Sequence, residues 1–368
     1  MPFGGEPGRW NLITDVPGVE VGFVTLIEGE GASSGGAGPV RTGVTAVLPR
    51  GRADATLPCA AAIHSLNGNG EMTGAHWVTE TGAVHTPIAI SNSHAIGACH
   101  RGIVEWMLES HPEISDAWIL PVAAETFDGY LNDINGRHVT VEHVVGALNS
   151  ARSGPFVLGS VGGGTGMNCY QFKGGTGSAS RTVRYAGSSY TVGVLLQANF
   201  GARSELVIAG VPVGAHLLDD NPLVEESWHL PPGGGSVIAI VATDAPMLPG
   251  QCAALARRVP LGLARTGTSG SHFSGDLFLA FSVANRGALR AVVPHGEPDS
   301  DGLDHLSFVE WGRIDPFYTA VVEAVEEATV DALVCNETMI GRDGHRSPAL
   351  PRDRLVDLLA SAGRLETR

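Results

Sequence analysis

Positive charge is scarce in this sequence. Its 368 residues include 23 Lys and Arg against 38 Asp and Glu, which gives a formal net charge of −15. Binding to nucleic-acid phosphates requires clustered Lys and Arg, and no basic stripe is present. The composition therefore argues against nucleic acid as the main partner.

Cysteine pairs and long apolar runs are also lacking. The five cysteines are scattered, odd in number and never in CxxC spacing, which indicates reduced thiols and neither a disulfide framework nor a zinc site. They are Cys59, Cys99, Cys169, Cys252 and Cys335. No apolar run approaches the roughly 18–20 residues that a membrane span needs, and "MPFGGEPGRWNLITDV" lacks the features of a signal peptide. We therefore expect a soluble, cytoplasmic protein with no membrane partner.

Glycine, in contrast, is abundant, with 50 residues in short clusters between apolar segments. This pattern is typical of many strands joined by tight loops. Most strand candidates are continuous apolar runs, which predicts strands covered on both faces. The candidates are "VEVGFVTL", "VTAVLP", "TPIAISN", "AWILPVA", "FVLGSV", "TVGVLLQAN", "ELVIAG", "SVIAIVAT", "LFLAFSVA" and "LRAVVP".

Five segments have the apolar spacing of amphipathic helices. They are "GACHRGIVEWMLES", "TVEHVVGALNSAR", "LPGQCAALARRV", "DPFYTAVVEAVEEATVDAL" and "PRDRLVDLLASAG". Helices and strands alternate along the chain without a compositional break. We therefore predict one α/β domain over residues 1–368, with β-sheet packed between helical layers.

The glycine-rich loop "GSVGGGTGMNCY" and the 14 histidines give no cofactor or metal signature. The loop does not match GxGxxG, because Met167 stands where the third glycine belongs, and no Gly-Lys-Ser/Thr of a P-loop follows. A loop shaped for close backbone packing is favoured. The histidines contain no HExxH and no paired metal spacing.

Four polar residues lie at the ends of predicted strands. Glu125 follows the apolar "WILPVAA", where a carboxylate suits a cationic group such as a substrate ammonium; the alternative is a solvated acidic turn. Asn199 ends "LLQAN", where its amide is placed to donate to a developing oxyanion, or simply to make a turn before a glycine. Ser274 and Asp276 enter a strand, and a polar turn explains them equally well.

The stretch "PPGGGSVIAIVATDAP" allows two interpretations. Its glycines form a flexible connector, or the Gly235–Ser236 bond is a cleavage site where the missing Cβ leaves the carbonyl open to attack by the serine hydroxyl. Cleavage would give Ser236 an α-amine of pKa roughly 7.7–8, which can act as the general base for its own hydroxyl.

Nine segments in order resemble the L-aminopeptidase/D-amidase-esterase family, which includes the β-peptidyl aminopeptidases. They are "WNLITDVPGVEVGFVTL", "VRTGVTAVLPRG", "NGNGEMTG", "ETFDGYLND", "VGGGTGM", "VGVLLQANFG", "GSVIAIVATDAP", "SGDLFLAFSVAN" and "ETMIGRDGHRSPALP". The resemblance implies an αββα four-layer sandwich like that of N-terminal nucleophile hydrolases. It also implies self-cleavage into chains 1–235 and 236–368, a homo-oligomer (tetramer or octamer), and no metal or organic cofactor.

The same resemblance implies a role for each polar residue noted above. Ser236 would be the nucleophile and its freed amine the base, with Asn199 as the oxyanion donor. Ser274 and Asp276 would orient the amine and hydroxyl of Ser236. Glu125 would hold the free ammonium of the substrate.

One position departs from the family pattern. Phe127 stands where we expect a tyrosine or another larger aromatic residue, and a tyrosine there can assist the oxyanion. This protein therefore either lacks that donor or uses Tyr130 instead, which bears on efficiency and side-chain preference.

The main hypothesis is therefore a self-processing serine aminopeptidase that acts on small peptides, amides or esters with a free amine. The first alternative is an acyltransferase of the ornithine acetyltransferase type, against which Ser236 counts, because such relatives use threonine. The second is a non-catalytic oligomeric binding protein that keeps only the fold.

Overall fold

The chain folds into four stacked layers of helices and sheets. In the computed structural model the described residues are 3–33, 36–225, 233–291 and 302–365. Within them the strands are β1 (Glu20–Glu28), β2 (Val40–Leu48), β3 (Cys59–Gly68), β4 (Ala83–Val84), β5 (Ile88–Asn92), β6 (Val122–Thr126), β7 (Asn168–Cys169), β8 (Phe172–Lys173), β9 (Gly175–Tyr185), β10 (Ser188–Gly201), β11 (Gly233–Thr243), β12 (Ser274–Ser282), β13 (Met339–Ile340) and β14 (Arg346–Ser347). The helices are α1 (Ala75–Thr81), α2 (Ile96–Ser110), α3 (Val141–Ser150), α4 (Pro222–Glu225), α5 (Pro249–Ala256), α6 (Val259–Arg265), α7 (Asp315–Val334) and α8 (Arg352–Ser361).

Two larger sheets form the middle layers. One has four strands in the order β1-β2-β5-β6, and the other has six in the order β4-β3-β12-β11-β10-β9. In the six-stranded sheet, β11 runs antiparallel to β10 and parallel to β12. Two strand pairs, β7-β8 and β13-β14, form separate hairpin-like units.

Three buried apolar clusters lie between the layers. Helices α2 and α3 cover the four-stranded sheet, and α5, α6 and α7 cover the six-stranded sheet. The third cluster lies between the sheets and includes Ile90, Ile238 and Leu279. The predicted αββα sandwich is therefore confirmed.

Alternation along the central strands decides which side chains face the other sheet. On β11, Ile238 and Ile240 pack between the sheets, whereas Val237 and Val241 pack against the helices. Ser236 shares the parity of Ile238, so its side chain faces the four-stranded sheet. The sequence thus places a polar residue in the same row as the apolar contacts between the sheets.

Six of the ten strand predictions are confirmed, and they correspond to β1, β2, β5, β10, β11 and β12. "AWILPVA" is only partly correct, because β6 begins at Val122, after Pro121, which has no N–H to donate to a sheet. "FVLGSV" and "ELVIAG" are wrong. The first has Val157 71% exposed, and the second begins in a 3₁₀ turn at Arg203–Glu205. Half of "LRAVVP", residues 292–294, lies outside the described residues, and the other half, residues 289–291, is not strand.

The helix predictions need one correction. "LPGQCAALARRV" is not one helix, because α5 ends at Ala256 and α6 starts at Val259 with a proline in its first turn. The stripe predicted on α7 is buried against the six-stranded sheet. It consists of Phe317, Val321, Ala324, Val325, Ala328 and Ala332.

The glycine-rich loop packs closely against both sheets, as expected. A 3₁₀ turn at Gly162–Gly164 lies against β2, β5 and β9. A Cβ atom at Gly163 would lie 2.2 Å from the side-chain oxygen of Gln197 and 2.6 Å from the carbonyl oxygen of Ile90. Only glycine fits this approach.

Within the described ranges, no helix has the length and apolar character needed to cross a membrane.

Candidate active site

A cavity of about 340 Å³ opens where the two sheets meet, at the start of β11 and the end of β6. Its lining includes Ser236, Glu125, Phe127, Ser93, Glu71 and Phe273. The predicted nucleophile, the Ser236 hydroxyl, and the predicted ammonium-binding group, the Glu125 carboxylate, therefore line the same cavity. Burial is high around it, since Ser236 is 2% and Glu125 5% exposed.

Ser236 lies inside β11, which runs without interruption through the Gly235–Ser236 bond. Gly235 has φ +152°, and a Cβ there would lie 1.9 Å from the carbonyl oxygen of Asn199. No other residue fits this position, so the glycine reflects the close approach of two strands. The "GGGS" segment is strand, and the flexible-connector interpretation is wrong for Gly233–Gly235.

Asn199 lies directly opposite Ser236 in the β10–β11 register. Its Oδ1 accepts a hydrogen bond from the main-chain N–H of Asn168 at 2.8 Å, and its Nδ2 donates to the carbonyl oxygen of Phe127 at 2.9 Å. These contacts fix the orientation of the amide, with its NH₂ toward β6. An NH₂ group has two hydrogens, so one donor remains beyond the bond to Phe127.

Phe127 contacts both of these residues through its main chain. Its N–H donates to Ser236 Oγ at 3.2 Å, while its carbonyl accepts from Asn199. Its ring lines the cavity. The side chain offers no donor, but the main-chain N–H places one at the serine oxygen.

Ser274 and Asp276 begin β12, the parallel neighbour of β11. Ser274 Oγ donates to Asp276 Oδ1 at 2.6 Å, and Asn67 Nδ2 donates to Asp276 Oδ2 at 3.0 Å. The main-chain N–H of Val237, the residue after Ser236, also donates to this carboxylate. Burial raises the pKa of Asp276, and the three donors oppose that shift.

Glu125 lies in β6, and each oxygen of its carboxylate accepts one hydrogen bond. Ser93 Oγ donates to Oε2, and the main-chain N–H of Glu71 donates to Oε1 at 3.0 Å. Burial raises the pKa of Glu125, and the charge of nearby Glu71 adds to the rise. The carboxylate lines the cavity, where it can meet a cation.

Tyr130 is placed differently from the others. Its hydroxyl donates to the carbonyl oxygen of Arg346 at 3.3 Å, and its ring stacks on His345 with centroids 4.7 Å apart. Tyr130 is not among the residues that line the cavity. The structure therefore does not bring it to Ser236 in place of a tyrosine at position 127.

The side-chain partners of the Asp276 and Glu125 carboxylates were not predicted from the sequence. Asn67 lies in the quoted segment "NGNGEMTG" and Ser93 follows "AISN", but neither position carries a local signal for its role. Asn67 reaches Asp276 because β3 pairs with β12, at a register shift beside Asp276.

The assembled parts are those of acyl-transfer chemistry. A buried hydroxyl and a carboxylate line one cavity, and an oriented amide donor lies opposite the hydroxyl in the strand register. Among the described residues, no group of three or more His, Cys, Asp or Glu is arranged to hold a metal ion. This arrangement is suited to acyl transfer at the Ser236 hydroxyl.

Comparison with known proteins gives a consistent result. The model of peptidase family S58 matches residues 11–347. The β-peptidyl aminopeptidase BapA of Sphingosinicella microcystinivorans is 44% identical over 99% of this chain and 91% of its own length. BapA of Sphingosinicella xenopeptidilytica is 40% identical over 98% of this chain and 89% of its own.

A solved structure agrees over the whole fold. The L-aminopeptidase D-Ala-esterase/amidase of Ochrobactrum anthropi, described as a prototype for the serine aminopeptidases with a variant of the Ntn hydrolase fold, has a TM-score of 0.90. It is 44% identical, and the match covers 100% of this chain and 98% of that one.

The chain belongs to peptidase family S58. It is a serine aminopeptidase with the N-terminal nucleophile hydrolase fold. The comparisons support neither the acyltransferase nor the non-catalytic alternative.

Proposed function

We propose that this aminopeptidase cleaves its own Gly235–Ser236 bond and then uses Ser236 as an N-terminal nucleophile. The observation that carries the proposal is the position of Ser236. It is a buried serine on the cavity wall, preceded by a glycine that no other residue can replace, and directly opposite Asn199. The products would be chains 1–235 and 236–368.

Self-cleavage begins with addition of Ser236 Oγ to the carbonyl carbon of Gly235. The C–N bond then breaks, the hydroxyl proton passes to the departing nitrogen, and an ester joins Gly235 to Ser236. Water hydrolyses this ester, which leaves a carboxylate on Gly235 and a free amine on Ser236. Because residue 235 is glycine, no Cβ flanks the carbonyl carbon that Oγ attacks.

In the mature enzyme, the α-amine of Ser236 takes the proton from its own hydroxyl as Oγ attacks the substrate carbonyl. A model α-amine has a pKa of roughly 7.7–8, far below that of lysine, so a usable fraction is neutral near pH 7. The second N–H of the Asn199 side chain stabilises the oxyanion, a contribution of about 3–4 kcal/mol to the barrier.

Ser274 and Asp276 orient the nucleophile. The Asp276 carboxylate accepts the N–H of Val237, so it fixes the main chain immediately after Ser236. Ser274 lies opposite Gly235 in the β11–β12 register, beside the position that the new amine would occupy. Both residues thus act on the direction of the Ser236 amine and hydroxyl.

Glu125 binds the free ammonium of the substrate, which restricts the enzyme to N-terminal residues. Its ionised form is the one that pairs with an ammonium. We propose short peptides, amides and esters with a free amine as substrates. The relatives named β-peptidyl aminopeptidases extend this proposal to N-terminal β-amino acids.

The test is the Ser236→Ala variant. We expect a single uncut chain of about the full 38.1 kDa in an intact mass spectrum under denaturing conditions, and no release of an N-terminal residue from a peptide anilide. Ser282→Ala is the matched control, because it removes a buried serine hydroxyl from the far end of β12, where it donates to the carbonyl of Ala245. A cut or active Ser236→Ala protein would defeat the proposal.

We also propose a homo-oligomer, a tetramer or octamer, in the cytoplasm. Exposed large apolar side chains such as Trp118 (56%) and Val157 (71%) offer surface for subunit contacts. All five cysteines are free thiols, four of them buried, as suits a reducing compartment. Light scattering of the eluted protein and cell fractionation test the two proposals, and a monomer or an exported protein would contradict them.

A further inference from the structure

Lys173 is a fully buried lysine (0% exposed) at the edge of the site described above. It ends β8, and its Nζ donates to the carbonyl oxygens of Met167 at 2.9 Å and Gly174 at 2.7 Å. In the described part of the chain, no carboxylate forms an ion pair with it. A buried ammonium without a counter-charge is costly, and burial lowers the pKa of Lys173 to about 7.

The two carbonyls do not need the lysine. Met167 O also accepts the main-chain N–H of Gly174 at 2.9 Å. Gly174 O also accepts from the Asn336 side chain at 3.0 Å. Because both acceptors already have a partner, an apolar side chain of similar size would leave neither carbonyl unsatisfied.

The Met167–Asn168 peptide links this ammonium to the oxyanion donor. Its carbonyl oxygen accepts from Lys173, and its N–H donates to Asn199 Oδ1 at 2.8 Å. Asn199 in turn directs its NH₂ toward the carbonyl oxygen of Phe127, and its main chain lies opposite Ser236. Hydrogen bonds in series polarise one another, so Lys173 in its charged form makes the amide at the other end of the series a stronger donor.

We propose that Lys173 is a positioning residue for the oxyanion site, which acts through the Met167–Asn168 peptide on the side chain of Asn199. It fixes which way the Asn199 amide faces and increases the positive character of its NH₂. The proposal rests on the proposed function of Ser236 and Asn199 and adds a group that does not itself touch the substrate.

The first test is Lys173→Met, with kcat normalised to the fraction of chain cut at Gly235–Ser236. Loss of a whole oxyanion donor costs about 10²–10³ in kcat, so a residue that only strengthens the donor should cost about tenfold. KM should stay within about twofold, because the ammonium site at Glu125 is untouched. An unchanged kcat would overturn the proposal.

A double-mutant cycle distinguishes this role from a purely structural one. If Lys173 acts through Asn199, then Lys173→Met should lower kcat by less than about twofold in an Asn199→Ala background. A full tenfold loss in that background would show that the two residues act independently, and the proposal would be wrong.

Two further variants separate charge from folding. Lys173→Gln keeps a donor but no charge and should lose kcat as Lys173→Met does; full activity would overturn the proposal. Arg50→Met is the matched control, since Arg50 also binds main-chain carbonyls, those of Pro58 and Ala284. It should lower the melting temperature and leave kcat unchanged.

The remaining outcomes are also decisive. If Lys173→Met and Lys173→Gln both fail to fold by circular dichroism, the lysine serves stability and the proposal falls. If Ser236→Ala is active, the proposed function fails first. If Ser236→Ala is inactive and the cycle is additive, only the role of Lys173 is lost.

Discussion

Two buried carboxylates, one in each sheet, stand at the site in different surroundings. Asp276 is enclosed by three donors, from Ser274, Asn67 and the main chain of Val237. Glu125 has two donors, from Ser93 and the main chain of Glu71, and it lines the cavity. Burial raises the pKa of both.

The difference indicates a division of work. A carboxylate whose donors surround it can hold its neighbours in place, but it has little capacity left for a ligand. A carboxylate with two donors that lines a cavity keeps acceptor positions for an incoming cation. This contrast supports the proposal that Asp276 acts in the reaction centre and Glu125 in substrate recognition.

The largest effect is expected from Asp276→Asn. An amide at this position brings an NH₂ against the donors of Asn67 and Val237, so the chain after Ser236 loses its anchor. Because nucleophile activation contributes about 10²–10⁴ to rate, we expect kcat and the rate of self-cleavage both to fall about 10³-fold. Single-turnover kinetics and a time course of intact mass measure the two rates. A variant that cuts itself at the normal rate would remove Asp276 from the reaction centre.

Glu125→Gln should weaken substrate binding and leave the rate of self-cleavage unchanged. Truncating one partner of a buried charge pair costs several kcal/mol, so kcat/KM should fall about 10²-fold, mainly through KM. Self-cleavage should be unchanged, because the uncut chain presents no ammonium at Glu125. Slow self-cleavage in this variant would contradict the division of work.

The pH dependence of KM sharpens the same comparison. The pKa of Glu125 is raised, so its carboxyl is protonated at a pH where an ordinary glutamate is still ionised, and KM should rise there. In Glu125→Gln this rise should be absent. A raised folded-state pKa also means that ionisation of Glu125 lowers stability as pH increases, so the variant should unfold at no lower temperature than the wild type at pH 7.

The smallest effects are expected from the partners of the two carboxylates. Asn67→Ala removes one donor from Asp276, and Ser93→Ala removes one from Glu125. Loss of a hydrogen bond to a charged group costs about 1.5–3 kcal/mol, or roughly 10- to 150-fold, and we expect the lower end because each carboxylate keeps another donor. Steady-state kinetics should show a lower kcat for Asn67→Ala and a higher KM for Ser93→Ala. If both variants changed the same parameter, the two carboxylates would not have separate roles.

Local sequence patterns were sufficient to predict much of the fold and the position of Ser236 within it. The apolar runs predict β10, β11 and β12, and their alternation places Ser236 in line with Ile238. The ordered motifs led to the correct four-layer fold. The strand β9, however, was not predicted. Its sequence "GTGSASRTVRY" is rich in small residues and resembles a loop, but helix α7 and the strand β10 pack against it.

The carboxylate partners could not be predicted, because their positions depend on pairing between distant segments. Asn67 and Asp276 are 209 residues apart, and only the β3–β12 pairing brings them together. The burial of Lys173 could not be predicted for the same reason, because it depends on the packing of residues 336 and 348 over β8. The serine and its glycine are adjacent in sequence, so a cleavage site could be proposed there without knowledge of the fold.

Phe127 also has a mechanical consequence. Its peptide groups reach from the end of the four-stranded sheet to Ser236 and Asn199 in the six-stranded sheet. Any sliding of one sheet over the other therefore moves Ser236 and Asn199, the proposed nucleophile and oxyanion donor, together relative to β6. The apolar layer between the sheets, with Ile90 on one face and Ile238 on the other, sets the alignment of the reaction centre as well as the stability of the fold.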